Sequence, residues 1–288
     1  MWQRARPLAT EEAHGVMLLP SIRDKDAAPA CVFLAALYQR LRLEGRNLLD
    51  YYISILDHLG GYADAGRSIV MTGAEGEFRR DRIIASLRQS PPQTLGGRTV
   101  RLMVDRWDER LYGRLASSTD QLSRNVLQIF LEGYIVTIRP SGTEPKLKFY
   151  CQLVPEGEPS SLKGIELLRD LTDRVDTMAR AVYKELLSRV DMNLDESALL
   201  LPDLVDVDRK REFEQTTVPK LRAAIAEGRF ENLEALLTWL TTEAAGMTPG
   251  ADPLPALKAS IFYLCDQWQG KLGYGGLLAG MQSWATRR

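Results

Sequence analysis

Residues Ile138-Arg139-Pro140-Ser141-Gly142-Thr143-Glu144-Pro145-Lys146-Leu147-Lys148-Phe149-Tyr150 gather more chemistry than any other stretch of this chain. A guanidinium, two hydroxyls, a glycine with accessible backbone N–H groups and an ammonium fall within a few positions. Pro140 and Pro145 fix φ near both ends and stiffen the turn. A rigid, donor-rich, cationic loop is suited to holding a tetrahedral dianion. The same residue types also fit a plain solvated connection between strands. No Gly-x-x-x-x-Gly-Lys-Ser/Thr pattern occurs, so a nucleotide-cradling P-loop is not the competing reading.

The elements around this loop follow from periodicity. Val100, Leu102 and Val104 alternate with polar or exposed positions, and residues 126–131, 134–139 and 147–154 give three more strands. Glu132-Gly133 is a tight turn between two of them. Residues 67–72 read as a further short strand, followed by a charged helix through Phe78, Ile83, Ile84 and Leu87. The segment 112–125 is polar and Ser-rich and reads as a connection. Upstream, Asp26 caps a helix through Val32, Leu34, Leu37 and Leu41, and Asn47 caps a second through Leu48, Tyr52, Ile55, Leu56 and Leu59. From Pro159 the pattern is helical, with Leu162 to Val190 repeating at three- and four-residue intervals. At least three helices follow, near 217–227, at Leu233–Leu240 and at Leu257–Trp268.

A chain of 288 residues is long enough for two domains, and its composition is that of a globular protein. The net charge of −1 argues against a nucleic-acid binder that neutralises phosphates along a duplex. Cys31, Cys151 and Cys265 are too far apart for a disulfide framework or a zinc site, and each is expected to fill a core position. His14 and His58, the two histidines, have no cysteine or carboxylate at ligand spacing. Residues 1–10 lack the apolar core of a signal peptide and no run reaches membrane length, so no membrane partner and a cytoplasmic location are expected.

The loop at 138–150 resembles the phosphate-binding loop in the last domain of the α-D-phosphohexomutases, the phosphoglucomutase and phosphomannomutase family. Glu11-Glu12-Ala13-His14-Gly15 resembles the family's sugar-recognition loop, with Ala13 where the family has a serine. Arg23-Asp24-Lys25-Asp26 and the helix after it resemble the close of the family's third domain, and residues 67–154 resemble its fourth. The resemblance implies that Arg139, Ser141, Gly142 and Thr143, with Lys146, hold the substrate phosphate that is not reacting. It implies that Glu11 accepts hydrogen bonds from sugar hydroxyls, with Glu12, His14 and Lys25 in the same sugar-binding group. The expected fold is α+β: a helical remnant of a third domain over 1–62, a small four-stranded, mostly antiparallel sheet domain with helices on one face over 63–190, and, from periodicity alone and without a counterpart in the family, an all-helical extension over 191–288.

In this family a phosphoserine donates its phosphoryl group to the sugar while magnesium neutralises charge. The Thr-Ala-Ser-His-Asn-Pro and Asp-Gly-Asp-x-Asp-Arg loops that supply them do not occur in this sequence. Asp105-Arg106-Trp107-Asp108-Glu109-Arg110 has different spacing and reads as a solvated strand end. No catalytic residue, metal ligand or cofactor is therefore expected here, although magnesium is implied for a complete family member. Two readings stand. In one, the chain is the C-terminal part of a phosphohexomutase, binding hexose phosphate without turnover and forming a homo-oligomer or engaging a partner that covers the incomplete third domain. In the other, it is a non-catalytic phosphosugar-binding or interaction module.

Overall fold

The computed structural model describes residues 9–10, 16–18, 26–142, 144–156, 160–248, 250–271 and 275–287. A short ladder of β1 (Ala9–Thr10) and β2 (Val16–Met17) precedes helices α1 (Ala27–Leu43) and α2 (Leu48–Leu59). Next come strand β3 (Ala63–Val70), helix α3 (Gly73–Gln89), strands β4 (Thr94–Leu95) and β5 (Arg98–Asp105), and short helices α4 (Glu109–Tyr112) and α5 (Ser118–Ser123). Strands β6 (Leu127–Leu131), β7 (Tyr134–Pro140) and β8 (Lys146–Leu153) lead into the long helix α6 (Gly164–Ser188). The elements beyond are α7 (Glu196–Leu199), α8 (Val207–Glu212), a π-helical turn over Phe213–Thr217, α9 (Val218–Ala226), α10 (Leu233–Glu243), α11 (Leu254–Trp268) and α12 (Gly275–Thr286). Packing divides the chain into two units, Met1–Gly66 with Leu153–Val175 and Arg67–Gln152 with Asp176–Arg288.

In the first unit both expected caps form. The Asp26 carboxylate accepts from the Ala28 N–H at 3.0 Å. Asn47 and Asp50 exchange reciprocal bonds of 2.9 and 3.1 Å in a capping box. Each such cap stabilises its helix by about 1 kcal/mol. The backbone N–H of Gly164, opening α6, donates to Asp57 on α2 at 3.1 Å. The apolar faces expected on these helices do not become core. In α1 only Leu41 is buried, and in α2 only Leu56. Cys31 is likewise exposed rather than a core filler, because the side of α1 that carries it has no covering element among the described residues.

The second unit carries the sheet, in the order β3-β8-β7-β6-β5-β4. The α+β class is as expected, but six strands form rather than four. Strand β3 adds an edge beside β8, and the two-residue β4 folds back antiparallel onto β5. β5, β6 and β7 are antiparallel neighbours, with Leu127 opposite Ile138 and Leu131 opposite Tyr134. Gly133 closes the hairpin between β6 and β7 at φ +73°, which favours glycine. The period of two puts Leu127, Ile129 and Leu131, Tyr134, Val136 and Ile138, and Leu147, Phe149 and Cys151 into the core. Helix α3 contributes Ile83, Ile84 and Leu87 to that core, and the last turns of α6 contribute Val182, Tyr183 and Leu186. The Tyr183 ring meets Phe149 edge-on at 6.1 Å. Burying each large apolar side chain stabilises the fold by roughly 1.5–3 kcal/mol.

The Ser-rich 112–125 segment, expected to be a bare connection, contains α5. The Ser117 hydroxyl caps it by accepting from the Asp120 N–H at 3.1 Å. Arg124 then ties the segment down through the carbonyls of Arg106 and Gly113, both at 3.0 Å.

Every element after residue 190 is helical among the described residues. Leu221, Ile225, Leu236, Leu240, Leu257, Ile261 and Met281 close a core of their own. Three aspartates fasten the start of this region to the sheet. Asp203 accepts from the Ser68 N–H at 3.1 Å, and Asp206 accepts from both N–H and hydroxyl of Thr72 at 2.8 and 2.7 Å. Asp208 takes Arg79 on both its oxygens at 2.9 Å. Among the described residues no helix is long and apolar enough to cross a membrane.

Candidate phosphate-binding site

The loop between β7 and β8 owes its position to the strands that flank it. Ile138 and Leu147 are both fully buried, so the sheet fixes the chain on either side of the turn. Alternation then sends Arg139, the next residue, out of the core, where it is exposed. Ser141 N–H donates to Lys146 O at 2.9 Å and Lys146 N–H donates to Glu144 O at 2.7 Å, closing the turn on itself. Met71, just past the end of β3, donates its N–H to Pro145 O at 2.8 Å and holds the loop from the side. The next helix can start so close to that point because Gly76 has no side chain: a Cβ there would lie 2.4 Å from the Met71 carbonyl carbon.

The donors are arranged unequally. No ion pair holds the Arg139 guanidinium among the described residues. Ser141 Oγ accepts from the Glu144 N–H at 3.3 Å, which leaves its own hydrogen to donate outward. Gly142 is exposed, and a Cβ there would meet only Leu122, at 3.9 Å. Among the described residues nothing packs closely enough to require glycine at that position. Lys146 is already engaged: Nζ pairs with Glu144 Oε2 at 2.8 Å, and Lys146 is the less exposed partner. That bond holds the Glu144 carboxyl below the usual carboxylate range. An arriving dianion would compete with Glu144 for this ammonium, whereas Arg139 is free of that contest.

Thr143 lies outside the described residues, as do all four expected sugar-binding residues, Glu11, Glu12, His14 and Lys25. Of the named set the structure thus brings together Arg139, Ser141, Gly142 and Lys146. The Glu144–Lys146 pair was overlooked in the sequence, although opposite charges two residues apart across Pro145 were a readable signal.

The acidic strand end offers nothing to magnesium. Asp105 is held by Arg88 at 2.8 and 3.2 Å and by the Trp107 N–H at 3.0 Å. Asp108 caps α4 and pairs with Arg110 at 2.8 Å, which pulls its carboxyl down to about 2. Among the described residues no group of three or more His, Cys, Asp or Glu could hold a metal ion.

No family model matches the chain. It is 31% identical over 148 residues to phosphoglucomutases of Staphylococcus aureus, among them those of strains N315, MSSA476 and COL. The match covers 50% of this chain and 27% of each relative, so the chain spans about a quarter of the length of the curated relatives it matches. Half of this chain is therefore a phosphohexomutase-related region.

Proposed function

We propose that residues 139–146 grip the non-reacting phosphate of a hexose phosphate. The single observation that carries this is the exposed Arg139 guanidinium, held at the end of a strand whose neighbouring residue is fully buried. The planar fork would take two phosphate oxygens, and the Ser141 hydroxyl and the backbone around Gly142 would complete the shell with Thr143. Lys146 would join if it exchanged Glu144 for the ligand. Glu11, Glu12, His14 and Lys25 would supply the sugar contacts.

On this reading the chain is the C-terminal part of a phosphoglucomutase- or phosphomannomutase-like enzyme working in the cytoplasm. Its segments are 1–62 from the sugar-recognition domain, 63–190 as the phosphate-binding domain, and 191–288 as the extension. Phosphoserine and magnesium would have to come from elsewhere, so by itself the chain should not interconvert glucose 1-phosphate and glucose 6-phosphate. Turnover by highly purified protein, above the buffer background, would overturn that. The exposed apolar residues of α1 and α2 favour a covering partner, either another polypeptide or a second copy. The alternative, a non-catalytic phosphosugar-binding module, is favoured by one observation: the extension is bonded to the sheet through Asp203, Asp206 and Asp208.

NMR titration with glucose 6-phosphate tests the site. Shifts should saturate at residues 139–146, and Arg139→Ala should weaken binding by roughly ten- to a hundred-fold, as expected for a charge-assisted contact. Arg139→Lys should restore only part, since an ammonium lacks the fork. Equal titration of wild type and Arg139→Ala would show the loop to be only a turn.

A further inference from the structure

A second cluster of polar groups lies within the same unit, formed by residues outside the 139–146 loop. A cavity of about 150 Å³ opens between β3, α6 and the turn at residues 199–203. Arg67, Arg180, Tyr183 and Asp203 supply its polar lining. Tyr183 is 3% exposed, and its hydroxyl has no hydrogen-bond partner among the described residues. Beside it is Lys210, which is fully buried. Its ammonium donates to Leu201 O at 2.9 Å and lies 5.0 Å from the centre of the Tyr183 ring. That is one hydrogen bond for a group with three protons. Burial pulls the Lys210 ammonium down to about 8, against the opposing pull of Asp203.

A buried hydroxyl without a partner and an under-bonded ammonium are each costly to maintain, and native folds rarely keep them without compensation. What would satisfy them is an acceptor-rich guest. The guanidinium groups add to that demand. Arg67 gives one N–H to Asp176 at 2.6 Å, and Arg180 gives one to Glu196 at 2.8 Å and one to the Thr177 hydroxyl at 3.3 Å. A guanidinium has five N–H donors, so each retains others to offer. Both arginine side chains are about a third exposed, which leaves an entry path. Asp203 is the exception in the lining, being an acceptor. One of its oxygens takes the Ser68 N–H at 3.1 Å, and the other can receive a proton-bearing oxygen. A cavity of this size admits a guest of about six heavy atoms. Strong acceptors, one O–H and that size describe hydrogen phosphate or a very compact phosphomonoester.

We propose that this cavity binds a small phosphate-type oxyanion, held by Arg67, Arg180 and the Tyr183 hydroxyl, independently of the 139–146 loop. A hexose phosphate is too large for it. The two sites are therefore separable by ligand size as well as by residue.

The test uses the full chain carrying Arg139→Ala, so that the loop cannot account for the result, titrated with inorganic phosphate and followed by amide NMR. Saturating shifts at residues 179–183 and 199–203 are expected, and adding Arg180→Gln should weaken them by about tenfold or more. Tyr183→Phe should weaken them several-fold with unchanged circular dichroism, and Arg67→Gln serves should the Arg180 variant misfold. Methyl phosphate, which has six heavy atoms, serves as a second probe that distinguishes a monoester from the free anion, and saturation by either supports the site. The proposal is overturned if those amides do not respond, if chloride at equal ionic strength gives the same shifts, or if the variants titrate like the parent. In the wild-type chain, phosphate shifts at the cavity without glucose 6-phosphate shifts at the loop would retain this site and remove the loop reading.

Discussion

Helices α1 and α2 near the start of the chain and helices α9 to α12 at its end are built from similar residues, Leu, Ala, Ile and Tyr among them. Their circumstances are opposite. Val32 is 72% exposed and Leu43 is 81% exposed, whereas Leu236, Leu240, Leu257 and Ile261 are fully buried. Composition does not explain this, because the early helices are as apolar as the late ones. The difference is mutual cover. α9 to α12 turn their apolar sides toward one another and close a core. α1 is apolar on most of its circumference, and a helix of that kind is satisfied only when surrounded. An apolar stripe in a sequence thus indicates what a helix requires, and only the neighbouring elements decide whether it is supplied.

The largest test of this contrast is a pair of truncations. Leu240→Ala should destabilise the protein by about 2–5 kcal/mol, the range for a cavity in a closed core. Leu43→Ala should stay within about 0.5 kcal/mol. Urea unfolding of both variants checks this, and equal losses would mean that α1 is covered in solution.

A smaller effect is expected at Lys210, the one fully buried charged side chain among the described residues. Its folded pKa, about 8, lies below its unfolded value near 10.5. Below pH 8 the unfolded chain holds the charge more easily, so the group penalises folding by about 3 kcal/mol. Between pH 8 and 10.5 the unfolded state binds more protons, and that penalty fades as pH rises. The stability gap between Lys210→Met and wild type should therefore shrink across that window. Comparing the two proteins at each pH cancels Cys151 and Cys265, whose values burial pushes upward. A gap that does not change with pH would show that the ammonium is solvated.

The smallest effect is kinetic. Cys31 on α1 should be alkylated at least about tenfold faster than Cys265 on α11, which is buried and pushed up to about 11. Denaturant should make all three cysteines react alike. Similar native rates would erase the difference between the two regions.

How much of this was legible depended on how local the cause was. Strands β6 to β8 could be read because period-two burial is written in each, and the Asn47 capping box because its partner is three residues away; β5 forms where its alternation placed it, but none of its residues is fully buried and Leu102 is exposed. β4 could not, since two residues carry no period. α5 could have been read from Ser117 and Asp120, which have capping-box spacing, but a Ser-rich run looks like a linker. In the loop, the exposure of Arg139 follows from strand alternation alone. The burial of Lys210 and the exposure of Cys31 depend on elements far along the chain, and nothing near either residue announces them.

The three aspartates also set an order of events during synthesis. Ser68, Thr72 and Arg79 receive their carboxylate partners from residues 135, 134 and 129 positions later. The edge strand β3 and the first turns of α3 are therefore made long before the groups that complete them. Contacts of such separation slow folding, because the loop must close before it is rewarded. A nascent chain stalled before Asp203 would present an unfinished sheet edge, the kind of surface that recruits chaperones or pairs with another chain.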